Sequence, residues 1–207
     1  MAIAQILKDI SEFVAAQKIK LSAQVEDGRI NASINESEVI NVIKERFDID
    51  IPRSRNWFDF SIENSSEFYP INIKITDTTH ADNLSCKLGI YYALAGRFPD
   101  FPNEIGWLSY FEKLSESIKD NCEQDYYFLV INKQDTADVF VNSLKGLSSL
   151  HPNGNNLPFQ CRWDRNRNHT PRSFNEAKDF ILSNLAASVK LRSKIYLNFK
   201  KCFPQYA

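Results

Sequence analysis

The sequence predicts an α/β fold in which helices flank a mixed β-sheet. Segments with the 3.6-residue periodicity of amphipathic helices are interspersed with short runs in which apolar and polar residues alternate, as they do in strands. The chain has 207 residues, of which 43% are hydrophobic. That length suffices for one substantial core and is somewhat short for two. We therefore expect a single domain over residues 1–207.

The first part of the chain is predicted to form two helices and a hairpin. Apolar residues at helical spacing predict a helix over residues 2–18. Asn35 is a typical helix N-cap, and Glu38 follows at the spacing of a capping box, so a second helix is expected to begin there. Residues 57–76 alternate like two short strands, with residues 63–67 as a polar turn between them.

The second part is predicted to add helices and strands in mixed order. Asp82 is a candidate cap for a third helix that ends at Gly96, and a fourth helix is expected at residues 107–120. Ser173 and Glu176 have the spacing of a capping box and predict a long carboxyl-terminal helix. Further strands are expected at residues 126–132, 137–142 and 158–163.

Charge is distributed unevenly, although the net charge is only −1. From Arg162 to the end, ten lysines and arginines stand against three acidic residues, a local net charge of +7 that leaves −8 for residues 1–161. A basic segment of this kind suits a surface that faces phosphates. A solvated helix face has the same composition, and charge alone does not separate the two interpretations.

Other features limit the class of protein. No run of eighteen apolar residues occurs, and the amino terminus lacks a basic stretch followed by an apolar one, so we expect a soluble cytoplasmic protein without a membrane partner. The cysteines are widely spaced and form no C-x-x-C pair, which favours reduced packing residues over a zinc site. They are Cys86, Cys122, Cys161 and Cys202.

The hairpin carries the most informative chemistry. Strand alternation places Asp59, Asn72 and Lys74 on a polar side. The opposite side is assigned Phe58, Phe60, Ile62, Ile71, Ile73 and Ile75. A metal-assisted phosphodiesterase needs an acid, an amide and a lysine close together. The oxygen atoms bind a hard cation, and the cation favours the ionisation of the attacking water to hydroxide. Alone, Lys74 would be an ordinary strand lysine; its significance depends on Asp59.

These residues resemble the PD-(D/E)xK nucleases, and among them the type II restriction endonucleases of the EcoRV and HincII kind. Asp59 matches the first motif acid, and Asn72-Ile73-Lys74 occupies the place of the (D/E)-x-K tripeptide. Weaker likeness continues over residues 76–96 and 159–176, so that the resemblance covers most of the chain from about residue 35 onward. It implies a restriction-endonuclease-like fold.

The resemblance also implies a reaction and a cofactor. Asp59 would ligate Mg²⁺, the carbonyl of Ile73 would be a second ligand, and Lys74 would position or deprotonate the attacking water. The expected function is Mg²⁺-dependent hydrolysis of double-stranded DNA at a short palindromic sequence, in the cytoplasm of a prokaryote. A palindrome has two equivalent phosphates, so a homodimer is expected. The first helix and the aromatic loop at residues 98–102 are candidate dimer surfaces.

Asn72 departs from the motif, because an amide offers an oxygen to a metal without a negative charge. Three explanations stay open: members of the family tolerate asparagine here, Glu38 supplies the missing carboxylate, or an aspartate was replaced to trap uncleaved DNA. The departure also keeps two alternative functions open. One is a structure-selective or repair nuclease of the same fold, and the other is a DNA-binding protein with impaired catalysis.

Two groups of residues are candidates for DNA contacts. An arginine-rich loop before the last helix suits phosphate binding. Its arginines are Arg162, Arg165, Arg167 and Arg172. A turn rich in asparagine could enter the major groove, where amides pair with adenine, although such turns more often only reverse the chain. Its asparagines are Asn153, Asn155 and Asn156, and the resemblance adds Asn83 and Ser85 on a second approach loop.

Overall fold

A computed structural model describes residues 3–21, 28–52, 56–64, 67–101 and 106–206, and in the second helix it describes side chains from residue 34 onward. Residues 65–66 of the predicted turn and residue 102 of the aromatic loop lie outside these ranges. The helices are α1 (Gln5–Gln17), α2 (Gly28–Lys44), α3 (Lys87–Ala95), α4 (Trp107–Ser117) and α5 (Phe174–Cys202). The strands are β1 (Phe60–Glu63), β2 (Phe68–Thr76), β3 (Ala81–Leu84), β4 (Tyr127–Asn132), β5 (Asp135–Ser143), β6 (His151–Pro152) and β7 (Phe159–Arg162).

A mixed four-stranded sheet with the order β1-β2-β4-β5 is the centre of the fold, which confirms the predicted α/β class. The β1–β2 hairpin is antiparallel and places Phe60 opposite Ile71. β4 lies parallel to β2, with Tyr127 beside Ile71, and β5 returns antiparallel to β4. Parallel neighbours need a long crossover. Here β3, α3 and α4 lie on the connection between β2 and β4.

A second, antiparallel sheet with the order β3-β7-β6 was only partly predicted. The strand expected at residues 158–163 is β7, whereas β3 and β6 were missed. Asp82 does not cap a helix, because it belongs to β3 and α3 begins only at Lys87. Its carboxylate instead accepts a hydrogen bond of 2.8 Å from the indole of Trp163, which is fully buried.

Two hydrophobic cores cover the two faces of the four-stranded sheet. Along β4, Tyr127, Leu129 and Ile131 point into a core with α1 and α2, whereas Phe128 and Val130 point into a core with α3, α4, α5 and the second sheet. The hairpin follows the predicted alternation in its regular part, where residues 60, 62, 71 and 73 share the first core. The assignment of Phe58 was wrong, because it packs with the second core.

α2 begins earlier than predicted. Since it starts at Gly28, Asn35 and Glu38 lie within the helix and do not form a capping box at its start. The Oδ1 atom of Asn35 is buried without a hydrogen-bond partner in the described part of the chain. Val39 and Ile43 are fully buried in the first core, and α2 packs against β2. The helix therefore holds its middle turns beside the hairpin.

Close packing of α3 on Tyr126, the residue before β4, holds the segment that leads into the hairpin. Gly89 lies against the ring of Tyr126, where an added Cβ would come within 2.6 Å of the ring. The Tyr126 hydroxyl donates a hydrogen bond of 2.6 Å to the carbonyl of Trp57. This anchors the backbone two residues before Asp59. α3 ends at Gly96 as predicted, with the left-handed φ of 63° that glycine adopts readily.

Two further predictions have clear outcomes. The capping box of Ser173 and Glu176 is present at the start of α5. The four cysteines are free thiols, three of them buried, but Cys202 is exposed and is not a packing residue. Within the described ranges no helix is long and apolar enough to cross a membrane.

Candidate active site

Asp59 and β2 form the centre of the candidate site. Asp59 directly precedes β1, and its amide donates a hydrogen bond of 2.9 Å to the carbonyl of Ile71. Its Oδ2 atom accepts hydrogen bonds from the amide of Ile73 at 2.6 Å and from Nδ2 of Asn72 at 2.8 Å. The aspartate therefore turns toward the tripeptide, as the sequence predicts.

The carbonyl of Ile73 lies on the same edge of β2 as Asp59. The N–H and C=O groups of a single strand residue point to the same edge of the strand. The N–H group of Ile73 donates to Asp59, so its carbonyl points to that edge too. Pairing with β1 begins at Phe60 opposite Ile71, so Ile73 extends beyond the start of β1. This position fits the ligand role that the resemblance implies, and that role stays a prediction.

The side chains of Lys74 and Ile73 point to opposite faces of β2. Lys74 is partly buried. Its ammonium group is 3.5 Å from the carbonyl of Asn83, at the outer limit of a hydrogen bond. Lys74 and Asn72 line a small cavity of about 110 Å³ together with Ser85. The remaining wall consists of Asn56, Trp57, Cys86, Tyr126 and Phe128.

The carboxylates of the site are held in an environment that opposes their ionisation. Burial raises the pKa of Asp59, although the Ile73 amide and the Lys74 charge act in the opposite direction. Burial, and next the charge of Asp59, raise the pKa of Glu36 to about 7, while Lys74 lowers it. Glu36 on α2 is therefore close enough to Asp59 and Lys74 for both charges to affect its pKa.

Glu36 was not predicted from the sequence, where Glu38 was the candidate for the missing carboxylate. Residues two apart on a helix point in different directions, so the helix face that brings Glu36 to Asp59 turns Glu38 away. The apparent capping box at Asn35 concealed this, because it placed the helix start only one residue before Glu36. Once α2 is begun at Gly28, Glu36 lies one turn from Val39 and Ile40, on the side that packs against the sheet.

The donor atoms fit a hard divalent cation such as Mg²⁺. Asp59 and Glu36 offer carboxylate oxygens and Ile73 a carbonyl oxygen, which are the ligands that this ion prefers. A bound cation would offset the effect by which the charge of Asp59 raises the pKa of Glu36. Asn72 uses its Nδ2 to hold Asp59, so a direct metal contact would involve its amide oxygen.

The two segments expected to read DNA meet beside this site. Nδ2 of Asn153 donates hydrogen bonds to the side-chain oxygens of Asn83 at 2.9 Å and Gln160 at 3.0 Å. Its Oδ1 accepts from the amides of Asn155 and Asn156, which shapes the turn and leaves those two side chains exposed. Since Asn83 also approaches Lys74, the turn is connected to β2.

Three of the four arginines proposed for phosphate contacts have partners within the protein. Arg162 pairs with Asp164 at 2.6 Å, and Arg167 forms a two-pronged ion pair with Asp138. The guanidinium of Arg172 donates to the backbone carbonyls of residues 145 and 147. These contacts explain the three residues without DNA, whereas Arg165 is exposed. A role of the group in phosphate binding stays a prediction.

The comparisons with known proteins give no family. No model of a known protein family matches the chain, and a search of curated proteins finds no match either. The case for a function therefore rests on the residues and geometry described above.

Proposed function

We propose that the protein is a Mg²⁺-dependent endonuclease that hydrolyses phosphodiester bonds of double-stranded DNA at a short palindromic sequence, in the cytoplasm of a prokaryote. The observation that carries this proposal is the convergence of Asp59, Glu36 and Lys74. Asp59 is bound to the β2 backbone at Ile73, and Lys74 is the next residue of the same strand. The charges of Asp59 and Lys74 both affect the pKa of Glu36 on α2.

The residues can divide the chemistry between them. Asp59, Glu36 and the carbonyl of Ile73 would hold the metal, which supplies a Lewis acid and a water of lowered pKa when bound. Asn72 fixes the carboxylate of Asp59 by its hydrogen bond. The ammonium group of Lys74 would orient the attacking water and stabilise the negative charge that develops on the phosphate oxygens. Its weak contact with Asn83 leaves it available for that task.

The asparagine turn supports a DNA substrate. Asn155 and Asn156 are exposed next to the site, and amide side chains can form paired hydrogen bonds with adenine in the major groove. Asn83 and Ser85 lie between the turn and the cavity, so a duplex held at the turn would approach Lys74. The exposed Arg165 would add a phosphate contact.

Digestion of a supercoiled plasmid tests this proposal. With Mg²⁺ we expect discrete linear fragments, and with EDTA we expect none. Cuts that depend on mismatches, nicks or branches would instead identify a structure-selective or repair nuclease.

A second candidate function is a DNA-binding protein with impaired catalysis, and Asn72 is the observation that favours it. A gel shift without cutting at any Mg²⁺ concentration would support this candidate and exclude the nuclease. The variant Asn72→Asp should raise cleavage at low Mg²⁺ if the amide weakens metal binding.

A further inference from the structure

The asparagine turn, residues 153–156, packs directly on α5. Gly154 is so close to this helix that an added Cβ would lie 2.9 Å from the backbone nitrogen of Arg192 and 3.0 Å from the carbonyl carbon of Leu191. The φ angle of Gly154 is outside the left-handed region, so the backbone itself would accept an alanine. The close approach to α5, and not the backbone conformation, therefore favours glycine at this position.

Two side chains of α5 bind the backbone of the turn. The hydroxyl of Ser188, which is fully buried, accepts a hydrogen bond of 2.9 Å from the amide of Asn153. The guanidinium of Arg192 donates to the carbonyls of Gly154 at 2.8 Å and Asn155 at 2.7 Å. Ser188 and Arg192 are four residues apart and hence lie on one face of the helix. The turn is thus bound to α5 at three consecutive residues.

The side chain of Asn153 holds the turn from inside. Its Oδ1 atom accepts hydrogen bonds from the amides of Asn155 at 3.0 Å and Asn156 at 3.2 Å. Together with the bonds from α5, these contacts occupy backbone groups at each residue of the turn. Asn155 and Asn156 are exposed. Their side chains therefore extend from a backbone whose shape is fixed.

The chemistry of Arg192 suits orientation better than charge neutralisation. Its two acceptors are backbone carbonyl oxygens, which carry no net charge. A guanidinium group presents its donors in a rigid planar fork, whereas the ammonium group of a lysine is a compact point charge. Both carbonyls must therefore be aligned for the fork to bind them. Arg192 selects one orientation of two successive peptide groups.

This orientation matters because base readout depends on geometry. An amide side chain recognises adenine by two simultaneous hydrogen bonds, and both are made only when the amide is correctly placed. A turn that is ordered before DNA arrives also avoids the entropic cost of ordering it on binding. The contacts with α5 supply both conditions for Asn155 and Asn156.

We propose that Arg192, assisted by Ser188, is a positioning residue for sequence readout. In this role α5 holds the asparagine turn so that Asn155 and Asn156 meet the bases in one orientation. The inference rests on the proposed nuclease function and deepens it. It gives α5 an influence on the choice of DNA sequence, although the helix contributes no described residue to the wall of the cavity at Lys74.

Cleavage rates on cognate and altered sites test this role. The sites that the wild type cuts in a sequenced plasmid define the recognition sequence, and duplexes with that sequence or with one base pair changed serve as substrates. Arg192→Ala should lower the ratio of kcat/KM between these duplexes about tenfold, because loosely held amides lose part of the discrimination that paired hydrogen bonds supply. Loss of folded protein would lower both rates equally and leave the ratio unchanged.

Matched variants separate position from charge and from packing. Lys194→Ala removes one positive charge from the same exposed helix end but from another direction, so it should keep the ratio. Arg192→Lys keeps the charge without the fork and should recover little of the ratio. Gly154→Ala forces the turn away from α5 and should act like Arg192→Ala. Gly106→Ala is its control, because the added Cβ has no described atom within 4 Å.

Hydrogen exchange on the protein without DNA provides a second measurement. In Arg192→Ala the amides of Asn155 and Asn156 should exchange about tenfold faster than in the wild type, because the turn opens more often. Unchanged exchange would overturn the inference, since α5 would then not hold the turn. Exchange in Lys194→Ala should match that of the wild type.

Two further results would overturn the inference alone. One is an Arg192→Ala variant that keeps the full ratio. The other is a variant that binds cognate and altered duplexes equally less well and whose salt dependence falls by about one phosphate contact, because Arg192 would then be a phosphate ligand. If the wild type binds specific DNA without cutting it, Kd values from gel shifts give the ratio. A wild type that neither cuts nor binds DNA would overturn the proposed function as well.

Discussion

Two associations of a lysine with an aspartate in the described part of the chain differ in how well their polar groups are satisfied. Asp125 and Lys145 are each 3% exposed. The ammonium group of Lys145 donates to the carbonyls of Cys122 at 2.7 Å and Gln124 at 2.6 Å, and Asp125 accepts from the amides of Tyr126 and Lys145. Burial raises the pKa of Asp125 and lowers that of Lys145, and these hydrogen bonds oppose the cost.

Lys74 lacks this degree of satisfaction, although Asp59 accepts two hydrogen bonds. The ammonium group of Lys74 has a weak hydrogen bond of 3.5 Å, and the charge of Asp59 contributes to raising the pKa of Glu36 to about 7. A buried polar network with all its partners holds a structure together. A site in which two carboxylates are close to a single, loosely held ammonium group is suited to binding a ligand. We therefore expect the first association to contribute mainly to stability, whereas the second fits the function proposed above.

The largest expected effect is that of Lys74→Ala. Cleavage should fall about a thousandfold, because the transition state loses a cation in a partly dry site. DNA binding should be nearly unchanged, and the free energy of unfolding should fall by less than in Lys145→Ala, since Lys74 is only partly buried. Initial rates of plasmid cleavage, gel shifts and urea unfolding measure the three quantities. Lys133→Ala, in the exposed β4–β5 turn, is the control, and cutting by Lys74→Ala would remove Lys74 from the mechanism.

Lys145→Ala should have the opposite profile. Its loss leaves Asp125 buried without the nearby positive charge, so the free energy of unfolding should fall by about 3 kcal/mol. Cleavage per folded molecule should remain close to that of the wild type. Urea unfolding followed by circular dichroism gives the first value and active-site titration the second. A loss below about 0.5 kcal/mol, the usual size of surface effects, would show that the comparison is wrong.

The variant Glu36→Gln tests whether the proposed metal ligand is Glu36 or Glu38, which was named from the sequence. Cleavage at low Mg²⁺ should fall about tenfold to a hundredfold, because a carboxylate ligand is lost. Without metal at pH 8 the variant should be more stable by about 1 kcal/mol, since the ionised Glu36 is unfavourably placed and partial exposure reduces the effect. Glu38→Gln is the matched control. Equal losses in both variants would contradict the assignment of Glu36.

The smallest effect is a dependence on pH between about 4.5 and 7. The pKa of Glu36 is higher in the folded protein, about 7, than its ordinary value of 4.5. Glu36 therefore contributes relative stability at low pH, and this contribution is lost as the pH rises through that window. Metal binding has the opposite trend, because it needs the ionised form.

At limiting Mg²⁺, cleavage should rise about tenfold from pH 6 to pH 8 with a midpoint near 7, as one ligand becomes ionised. Excess Mg²⁺ should move that midpoint to lower pH. Rates measured across this range in wild type and Glu36→Gln provide the check, and an identical profile in both proteins would exclude Glu36 as its cause.

Local patterns predicted the parts of the fold and site that depend on neighbouring residues. Alternation along the hairpin placed Asp59 opposite the tripeptide, and the spacing of Ser173 and Glu176 identified the start of α5. The match at Asn35 was misleading, because the same spacing occurs inside a helix that starts seven residues earlier.

Contacts between residues that are far apart in the sequence could not be predicted from it. Asp82 is bound to Trp163, 81 residues away, and this pairing gives β3 its place in a sheet that no local pattern reveals. Arg167 likewise meets Asp138 across 29 residues. Glu36 is close to Asp59 only because α2 packs on β2, and no local pattern predicts that packing.

The hydrogen bond from Asn153 to Asn83 has a mechanical consequence. Asn83 presents its side chain to the turn and its carbonyl to the ammonium group of Lys74. A base that competes for the Asn153 amide would release Asn83 and shift the backbone oxygen that approaches the ammonium group of Lys74. We expect target choice and lysine alignment to occur as a single event, so that an incorrect DNA sequence would leave the protein bound but without cleavage.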